Sequence, residues 1–118
     1  MKAYQRADRV GGQIRKELSA LLHKEISDPR LAEATITGVD VSRDLRIAKV
    51  YFVSLGGSAQ CDTVMAGFIR AKGYLKRILA GRLRLRYMPD LTFYYDESFD
   101  YGDRIERLLR QLDTDSHG

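Results

Sequence analysis

Two runs of β-branched and aromatic residues constrain the fold of this chain more than any other feature of its sequence. In the stretch TITGVDVSRDLRIAKVYFVSL the runs flank the segment SRDL at residues 42–45, a pattern that predicts a β-hairpin. Ala48, Val50 and Phe52 of the second run share a face without charge, which is expected to point to the core. Asp44 is expected to stabilise the turn through hydrogen bonds to nearby backbone groups.

Helical periodicity appears on both sides of the hairpin. Apolar residues recur at three- and four-residue steps in the first segment and predict a helix with one apolar face: Val10, Ile14, Leu18, Leu21 and Leu22. Pro29 in the motif SDPRL is expected to stop this helix. A second helical pattern comprises Val64, Phe68, Ala71, Leu75 and Ile78. Because its continuation would bury Arg82, a break in the helix at Gly73 or Gly81 is predicted.

Two further elements complete the predicted fold. The motif LTFYY predicts a third strand with Leu91, Phe93 and Tyr95 on one side. The segment SFDYGDRIERLLRQL predicts a short closing helix with four inward-facing residues: Ile105, Leu108, Leu109 and Leu112. The order helix, hairpin, broken helix, strand and helix predicts an α+β fold with helices on one sheet face and the other face partly open. We expect one domain over residues 1–112 and a disordered tail over residues 113–118.

The positive charge of the chain is concentrated in one segment. The chain has a net charge of +4, whereas residues 63–89 contain seven Lys and Arg residues and no Asp or Glu. Such a segment is typical of a surface that binds a polyanion. Arg70, Arg77 and Arg84 are seven residues apart and would form a stripe on a continuous helix, beside the pair Lys72 and Lys76. The alternative, a solvated helix face that only keeps the protein soluble, stays open.

Basic residues elsewhere could extend this surface. Lys2, Arg6, Arg9, Gln13 and Lys16 cluster along one edge of the first helix. Arg43 lies at the predicted tip of the hairpin. It could contact a partner or face water, and the sequence favours neither. The candidate residues for binding a polyanion are therefore Arg70, Lys72, Gly73, Lys76, Arg77 and Arg84, with Arg43, Arg9 and Lys16 as flanking positions.

Gly73 lies inside the otherwise helical run IRAKGYLKRIL. A glycine in a helix interior costs about 1 kcal/mol relative to alanine, so a structural or functional reason for it is expected. One interpretation is a bend at which a nucleic-acid strand comes close to the backbone. The other interpretation is a packing glycine at which two helices touch. The spacing alone supports this interpretation at least as well as the first.

Other functions find little support in the sequence. Charged residues interrupt the N-terminal segment before an apolar run develops, and no stretch is long enough to span a bilayer, so a cytoplasmic protein is expected. Cys61 has no cysteine partner, and we expect no metal or cofactor. The carboxylates near the C-terminus have no matching nucleophile or base, which argues against an enzyme. Tyrosines could stack on bases but in strands are more often core or cross-strand neighbours: Tyr51, Tyr87, Tyr94, Tyr95 and Tyr101.

Taken together and in order, several segments resemble the ribosome-binding factor A family of bacterial small-subunit assembly factors. The matching motifs cover nearly all of the chain up to about residue 112: RV (9–10), EISDPRL (25–31), VSRDLRIAKVY (41–51), AKG (71–73), LRLRYMPDLTFYYDES (83–98) and GDRI (102–105). The resemblance implies a type II KH-like fold with a kinked helix pair. In that family an Ala-Xaa-Gly kink replaces the Gly-Xaa-Xaa-Gly loop of ordinary KH domains, and the matching residues are Ala71, Lys72 and Gly73.

The resemblance also implies a function. A member of this family binds the small (30S) ribosomal subunit through its 16S rRNA during late maturation and rRNA processing, and it has no catalytic activity. Release from the subunit depends on other factors such as an assembly GTPase, and the expected protein is a monomer. Members often carry a longer charged C-terminal tail than the segment that follows the last predicted helix here.

Two alternatives to this function stay open. One is a protein-interaction module that pairs through its open sheet face or its C-terminal helix. The other is a KH-like protein that binds free single-stranded RNA, but the sequence has no Gly-Xaa-Xaa-Gly loop in the expected place. Strong dependence of binding on salt would separate an RNA-binding surface from a protein-interaction surface.

Overall fold

A computed structural model of the chain describes residues 2–98, 106 and 108–110, with side chains from residue 5 onward. Its regular elements are helix α1 (Lys2–Lys24), strand β1 (Ala34–Val41), strand β2 (Ile47–Ser54), a 3₁₀ turn (Gly57–Gln60), helix α2 (Cys61–Leu83) and strand β3 (Asp90–Tyr95). Residues 106 and 108–110 are helical. The predicted order of helix, hairpin, helix and strand is therefore found over residues 2–98.

The three strands form one mixed sheet in the order β1-β2-β3. β1 and β2 are antiparallel, which confirms the predicted hairpin, while β2 and β3 are parallel. Parallel neighbours need a long crossover connection, and α2 provides it. The register of β1 shifts between Ile36 and Gly38, where Thr37 is the extra residue of a β-bulge.

Both long helices pack on the same face of this sheet. The five apolar residues predicted for α1 are all buried, and so are Ala48, Val50 and Phe52 of β2, as predicted. On α2, the ring of Phe68 stacks against Phe93 of β3 with a centroid distance of 4.5 Å. Phe68 also lies 5.0 Å from Phe52, measured between ring centroids. These aromatic contacts join α2 to both parallel strands.

The hairpin turn is stabilised as predicted. The Oδ1 atom of Asp44 accepts hydrogen bonds from the Ser42 hydroxyl (2.7 Å) and from the backbone N–H of Arg46 (3.1 Å). These hydrogen bonds, that from Ser42 first, hold the pKa of Asp44 below its ordinary value. Leu45 adopts a left-handed backbone conformation with φ of 61° and its side chain packs against the core.

α2 differs from the helix that the sequence pattern predicted. It runs through Gly73 and Gly81 as one helix of 23 residues, whereas a break was expected. The reason is that Leu79, not Ile78, continues the buried face after Leu75, so the phase does not bury Arg82. Arg82 lies at the flank, with its guanidinium 3.4 Å from a Glu17 carboxylate oxygen and in an ion pair with Glu25.

The C-terminal helical residues also differ from the expectation. Leu108 and Leu109 were predicted to face inward, but they are 56% and 57% exposed. That prediction was wrong for these two residues, because α1 and α2 already cover the inner face of the sheet. Ile105, Leu112, Tyr101 and the predicted tail 113–118 lie outside the described residues.

Gly11 is expected to be required for the close packing of α1 on β1. A Cβ atom at Gly11 would lie 2.9 Å from the backbone oxygen of Val39, whereas a Cβ at Gly12 would meet no atom within 4 Å. Both substitutions to alanine gain the same helix propensity, so their difference isolates the clash. We expect Gly11→Ala to have a free energy of unfolding about 1–3 kcal/mol below that of Gly12→Ala in urea titrations. Equal stabilities would contradict the packing role.

Candidate nucleic-acid interface

The exposed side of α2 carries the two arginines on which the candidate surface depends. Arg70 and Arg77 are exposed, and neither has an ion-pair partner among the residues that the structure describes. They lie seven residues apart on one continuous helix, so they project from nearly the same side. An exposed guanidinium presents several N–H donors in a planar fork that matches phosphate oxygens.

Arg84 does not continue this stripe. α2 ends at Leu83, and Arg84 is its C-cap with a left-handed backbone conformation (φ 52°, ψ 39°). Its side chain is exposed, but it follows the direction of the loop and not the phase of the helix. The predicted stripe of three arginines is therefore a pair on the helix and a third arginine at the helix end.

Lys72 and Lys76 pair within the fold, a contact that the sequence pattern did not reveal. Their Nζ atoms lie 3.0 Å and 3.1 Å from Oδ1 of Asp90, the first residue of β3. Both lysine side chains are only about one-third exposed. Hydrogen bonds from Lys72 and Lys76 hold the pKa of Asp90 below its ordinary value. This cluster retains one excess positive charge and ties the outer side of α2 to the sheet.

Gly73 lies open on the surface of α2. Outside the backbone of the helix, a Cβ atom placed at Gly73 would meet nothing within 4 Å, so Gly73 is not a packing glycine in the described chain. Gly67 has that role: its Cβ would lie 3.0 Å from Cδ2 of Leu31 and 3.2 Å from Cβ of Arg30. The other interpretation, a nucleic-acid strand close to the backbone at Gly73, stays a prediction, and α2 is continuous at this position.

A cleft of about 340 Å³ adjoins the Ala71 end of this surface. It is lined by Arg70 and Tyr74 of α2 and by Glu25 and Asp28 of the segment after α1. The Asp28 carboxylate is held by Arg30, with oxygen to nitrogen distances of 3.1 Å and 2.7 Å. Arg70 therefore lies between the side of α2 that carries no acidic residue and the carboxylates of Glu25 and Asp28.

The flanking candidates occupy two other elements. Arg9 and Lys16 are exposed on α1, the helix that Arg82 joins to α2 through its ion pairs. Arg43 is exposed in the hairpin turn and lines a cleft with Ala7 and Asp8 of α1. The structure therefore brings Arg43 close to α1, whereas β1 separates them in the sequence.

No group of His, Cys, Asp and Glu within residues 2–98, 106 and 108–110 is arranged to hold a metal ion. Over the same residues, no helix is long and apolar enough to cross a membrane. Burial raises the pKa of the Cys61 thiol, and the nearby carboxylates of Asp62 and Glu97 add to this effect.

Comparison with known proteins agrees with the sequence resemblance. The family model described as ribosome-binding factor A matches residues 6–109. Ribosome-binding factor A of Desulfosudis oleivorans is 52% identical over 115 residues, covering 98% of this chain and 89% of the relative. The protein of the same name from Desulfatibacillum aliphaticivorans is 53% identical over 112 residues, covering 95% of this chain and 91% of the relative.

Solved structures give the same result. The crystal structure of ribosome-binding factor A from Thermus thermophilus matches with a TM-score of 0.67 and 26% identity, covering 75% of this chain and 94% of that one. A homology model of the Thermus thermophilus factor, fitted into the cryo-EM map of a 30S complex, matches with a TM-score of 0.54 and 27% identity. That match covers 72% of this chain and 93% of the other. The predicted α+β, KH-like fold is thereby confirmed.

Asp90 is expected to stabilise the fold in a pH-dependent way. Because its pKa is lowered in the folded chain, its ionised form stabilises the fold above about pH 4, and this contribution is lost as the pH falls through the lowered pKa. Asp90→Asn removes the charge at every pH. We expect this variant to melt below the parent at neutral pH and the difference to shrink in acid, measured by circular dichroism. A difference that is constant with pH would contradict the ion-pair contribution.

Proposed function

The chain belongs to the ribosome-binding factor A family, and on that premise we propose that it binds the small ribosomal subunit through 16S rRNA. In this proposal it is a non-catalytic assembly factor that acts during late maturation and rRNA processing. The similar Thermus thermophilus factor has been fitted as a homology model into the cryo-EM map of a 30S complex, which supports the choice of subunit.

The observation that carries the proposal is the exposed side of α2. Arg70 and Arg77 are exposed cations in a segment of 27 residues, 63–89, that contains no acid. RNA presents closely spaced phosphates, and binding to them releases condensed counterions. Two exposed arginines without ion-pair partners among the described residues, in a segment without acids, therefore favour an RNA backbone over a protein surface of mixed charge.

Gly73 adds a steric condition to this electrostatic one. The amides in the interior of α2 are already hydrogen-bonded within the helix, so Gly73 contributes access and not a new donor. With no side chain and open space around its Cβ position, it lets a ribose-phosphate backbone approach α2 between the levels of Arg70 and Arg77. Recognition of this kind reads the shape and phosphates of folded RNA more than its base sequence.

Lys72 and Lys76 have a different part in the proposal. Because they share the carboxylate of Asp90, a phosphate has to compete with Asp90 for either ammonium group. We infer that these lysines orient the surface and supply one net charge, while Arg70 and Arg77 make the direct contacts. Arg84, Arg9, Lys16 and Arg43 remain flanking candidates at its edges.

The remaining parts of the proposal rest on the family resemblance. The protein acts as a monomer in the cytoplasm and leaves the subunit when an assembly GTPase acts on the complex. Measurement of subunit release with and without GTP, in a reconstituted mixture, tests this step separately from binding.

A protein-interaction module is the second candidate function. It is favoured by the exposure of Leu108 and Leu109 and by Ile47 and Tyr94, which are 44% and 43% exposed on the sheet. A partner bound through these apolar side chains would lose little affinity with added salt. Binding through the α2 face should weaken steeply instead, so one salt series distinguishes the two functions.

Charge reversal on α2 is expected to abolish binding to small subunits. The variant Arg70→Glu, Arg77→Glu is preferable to one at Lys76, because reversal there would place two carboxylates together. The matched control is Arg15→Glu, Lys24→Glu, which makes the same charge change at exposed positions of α1. Co-sedimentation with small subunits, large subunits and intact ribosomes across a salt series is the measurement.

We expect the parent and the control to bind small subunits selectively, and the α2 variant to fail at physiological salt. Each lost phosphate contact should reduce the log–log salt slope by about 0.7–0.9. If both variants lose binding to small subunits equally, the α2 surface contributes only nonspecific charge. Salt-insensitive binding by the parent would favour the protein-interaction function.

Gly73→Ala is expected to separate stability from binding. The substitution meets no clash and improves helix propensity, so the free energy of unfolding should rise by about 0.5–1 kcal/mol. The added methyl group should nevertheless weaken binding to small subunits, because it stands where the RNA backbone approaches. Gly81→Ala, also free of clashes on α2, is the control that should gain stability and keep binding. Undiminished binding by Gly73→Ala would contradict close approach at this position.

A further inference from the structure

A cleft of about 700 Å³ lies where four parts of the chain meet. Neither Arg70 nor Gly73 is among the residues that line it. α1 contributes Arg6, the hairpin turn contributes Arg46, and α2 contributes Lys76. The segment between α2 and β3 contributes Arg86 and Tyr87. The volume is within the range of about 300–1,000 Å³ that is usual for ligand sites.

The charged groups of this cleft leave an excess of positive charge. Its four cations face two carboxylates, those of Asp44 and Asp90. The Asp44 carboxylate is already occupied by the Ser42 hydroxyl and the Arg46 backbone N–H, and the Asp90 carboxylate is occupied by Lys72 and Lys76. The guanidinium of Arg46 is 3.9 Å from Asp44 and its side chain is 84% exposed, so this ion pair is weak.

Tyr87 gives the cleft an aromatic wall. Its side chain is 75% exposed, and the guanidinium carbon of Arg86 lies 5.4 Å from the ring centroid. A cation over one face of the ring is favourable, and the large exposed fraction leaves surface of the ring open to a ligand. Such an exposed ring is a platform on which a nucleic-acid base can stack.

The segment that carries Tyr87 is held in place on both sides. Leu85 and Met88 pack against the core, and Pro89 is fully buried. The backbone N–H of Asp90 donates to the carbonyl oxygen of Arg46 at 2.8 Å, which fixes the segment to the hairpin turn. The ring is thus presented on an anchored segment, and little conformational entropy is lost when it meets a ligand.

We propose that this cleft, built from Arg6, Arg46, Arg86 and Tyr87, binds one nucleotide of a single-stranded RNA segment. The base stacks on Tyr87, and the phosphate is held by the arginines. A base within a duplex cannot offer its face in this way, so the occupant is an unpaired nucleotide. The inference rests on the proposed function, because the RNA strand would belong to the rRNA that the chain binds.

Fluorescence anisotropy with a labelled single-stranded RNA of about ten nucleotides, a length within the range that small domains cover, tests the cleft directly. Tyr87→Ala should weaken binding about 5- to 150-fold, the loss expected for one stacked base. Tyr87→Phe should retain the affinity, since the ring and not the hydroxyl carries the contact. Tyr94→Ala, which removes an exposed tyrosine from the open sheet face, should leave the affinity unchanged.

Co-sedimentation of the same variants with small subunits, and their thermal unfolding, separates the possible results. Loss of oligonucleotide binding in folded Tyr87→Ala, but not in Tyr94→Ala, supports the cleft. If the parent binds small subunits but no oligonucleotide, or if Tyr87→Ala binds it as the parent does, the cleft is overturned and the proposed function stands. If the parent binds neither, the proposed function fails as well. If an equal concentration of free mononucleotide displaces the RNA, the proposal that the cleft binds an RNA strand is contradicted.

Discussion

Strands β2 and β3 pair in parallel, and this pairing decides where α2 has to lie. A chain cannot pair two consecutive strands in parallel without a long connection, and α2 is that connection. To lie on the sheet, α2 needs the buried residues Val64, Phe68, Leu75 and Leu79 on its inner side. Its outer side is left for other residues. The basic surface therefore lies on the element that the topology requires in any case.

Asp90 determines which cations of that surface are engaged within the fold. It begins β3, accepts hydrogen bonds from Lys72 and Lys76, and donates its backbone N–H to the hairpin turn. Two lysines that look equivalent to Arg70 and Arg77 in sequence are thus part of the connection between α2 and the sheet. The acid-free segment remains basic as a whole, but four of its seven cations divide into a supporting pair, Lys72 and Lys76, and an outward-facing pair, Arg70 and Arg77.

Local features of the fold could be predicted from sequence, whereas features that depend on distant partners could not. The hairpin, the apolar face of α1 and the hydrogen bonds of Asp44 follow from periodicity and turn chemistry within short windows. The position of Arg82 depends on Glu17 and Glu25, which are 65 and 57 residues away in sequence. Gly67 and Gly73 have the same helical context, and only the position of Leu31 shows which of them is a packing glycine.

For the candidate site too, local features could be predicted from the sequence and those that depend on distant residues could not. The acid-free segment and the Ala-Xaa-Gly motif could be read from the sequence, because both are contiguous. The ion pairs that Lys72 and Lys76 form with Asp90 could not be predicted, because Asp90 lies just beyond the segment and on another element. Exposure of Leu108 and Leu109 was also unforeseen, since an apolar helical pattern identifies a face but not what covers it.

The mixed sheet also has a consequence for synthesis of the chain. β1 and β2 are neighbours in sequence, so their hairpin can form as soon as both have been translated, whereas the pairing of β2 with β3 waits for the whole of α2. Until then one edge of β2 has no neighbouring strand, and Lys72 and Lys76 have no Asp90 to bind. A nascent chain at this stage is both more basic at its surface and more prone to associate through its open edge than the finished protein.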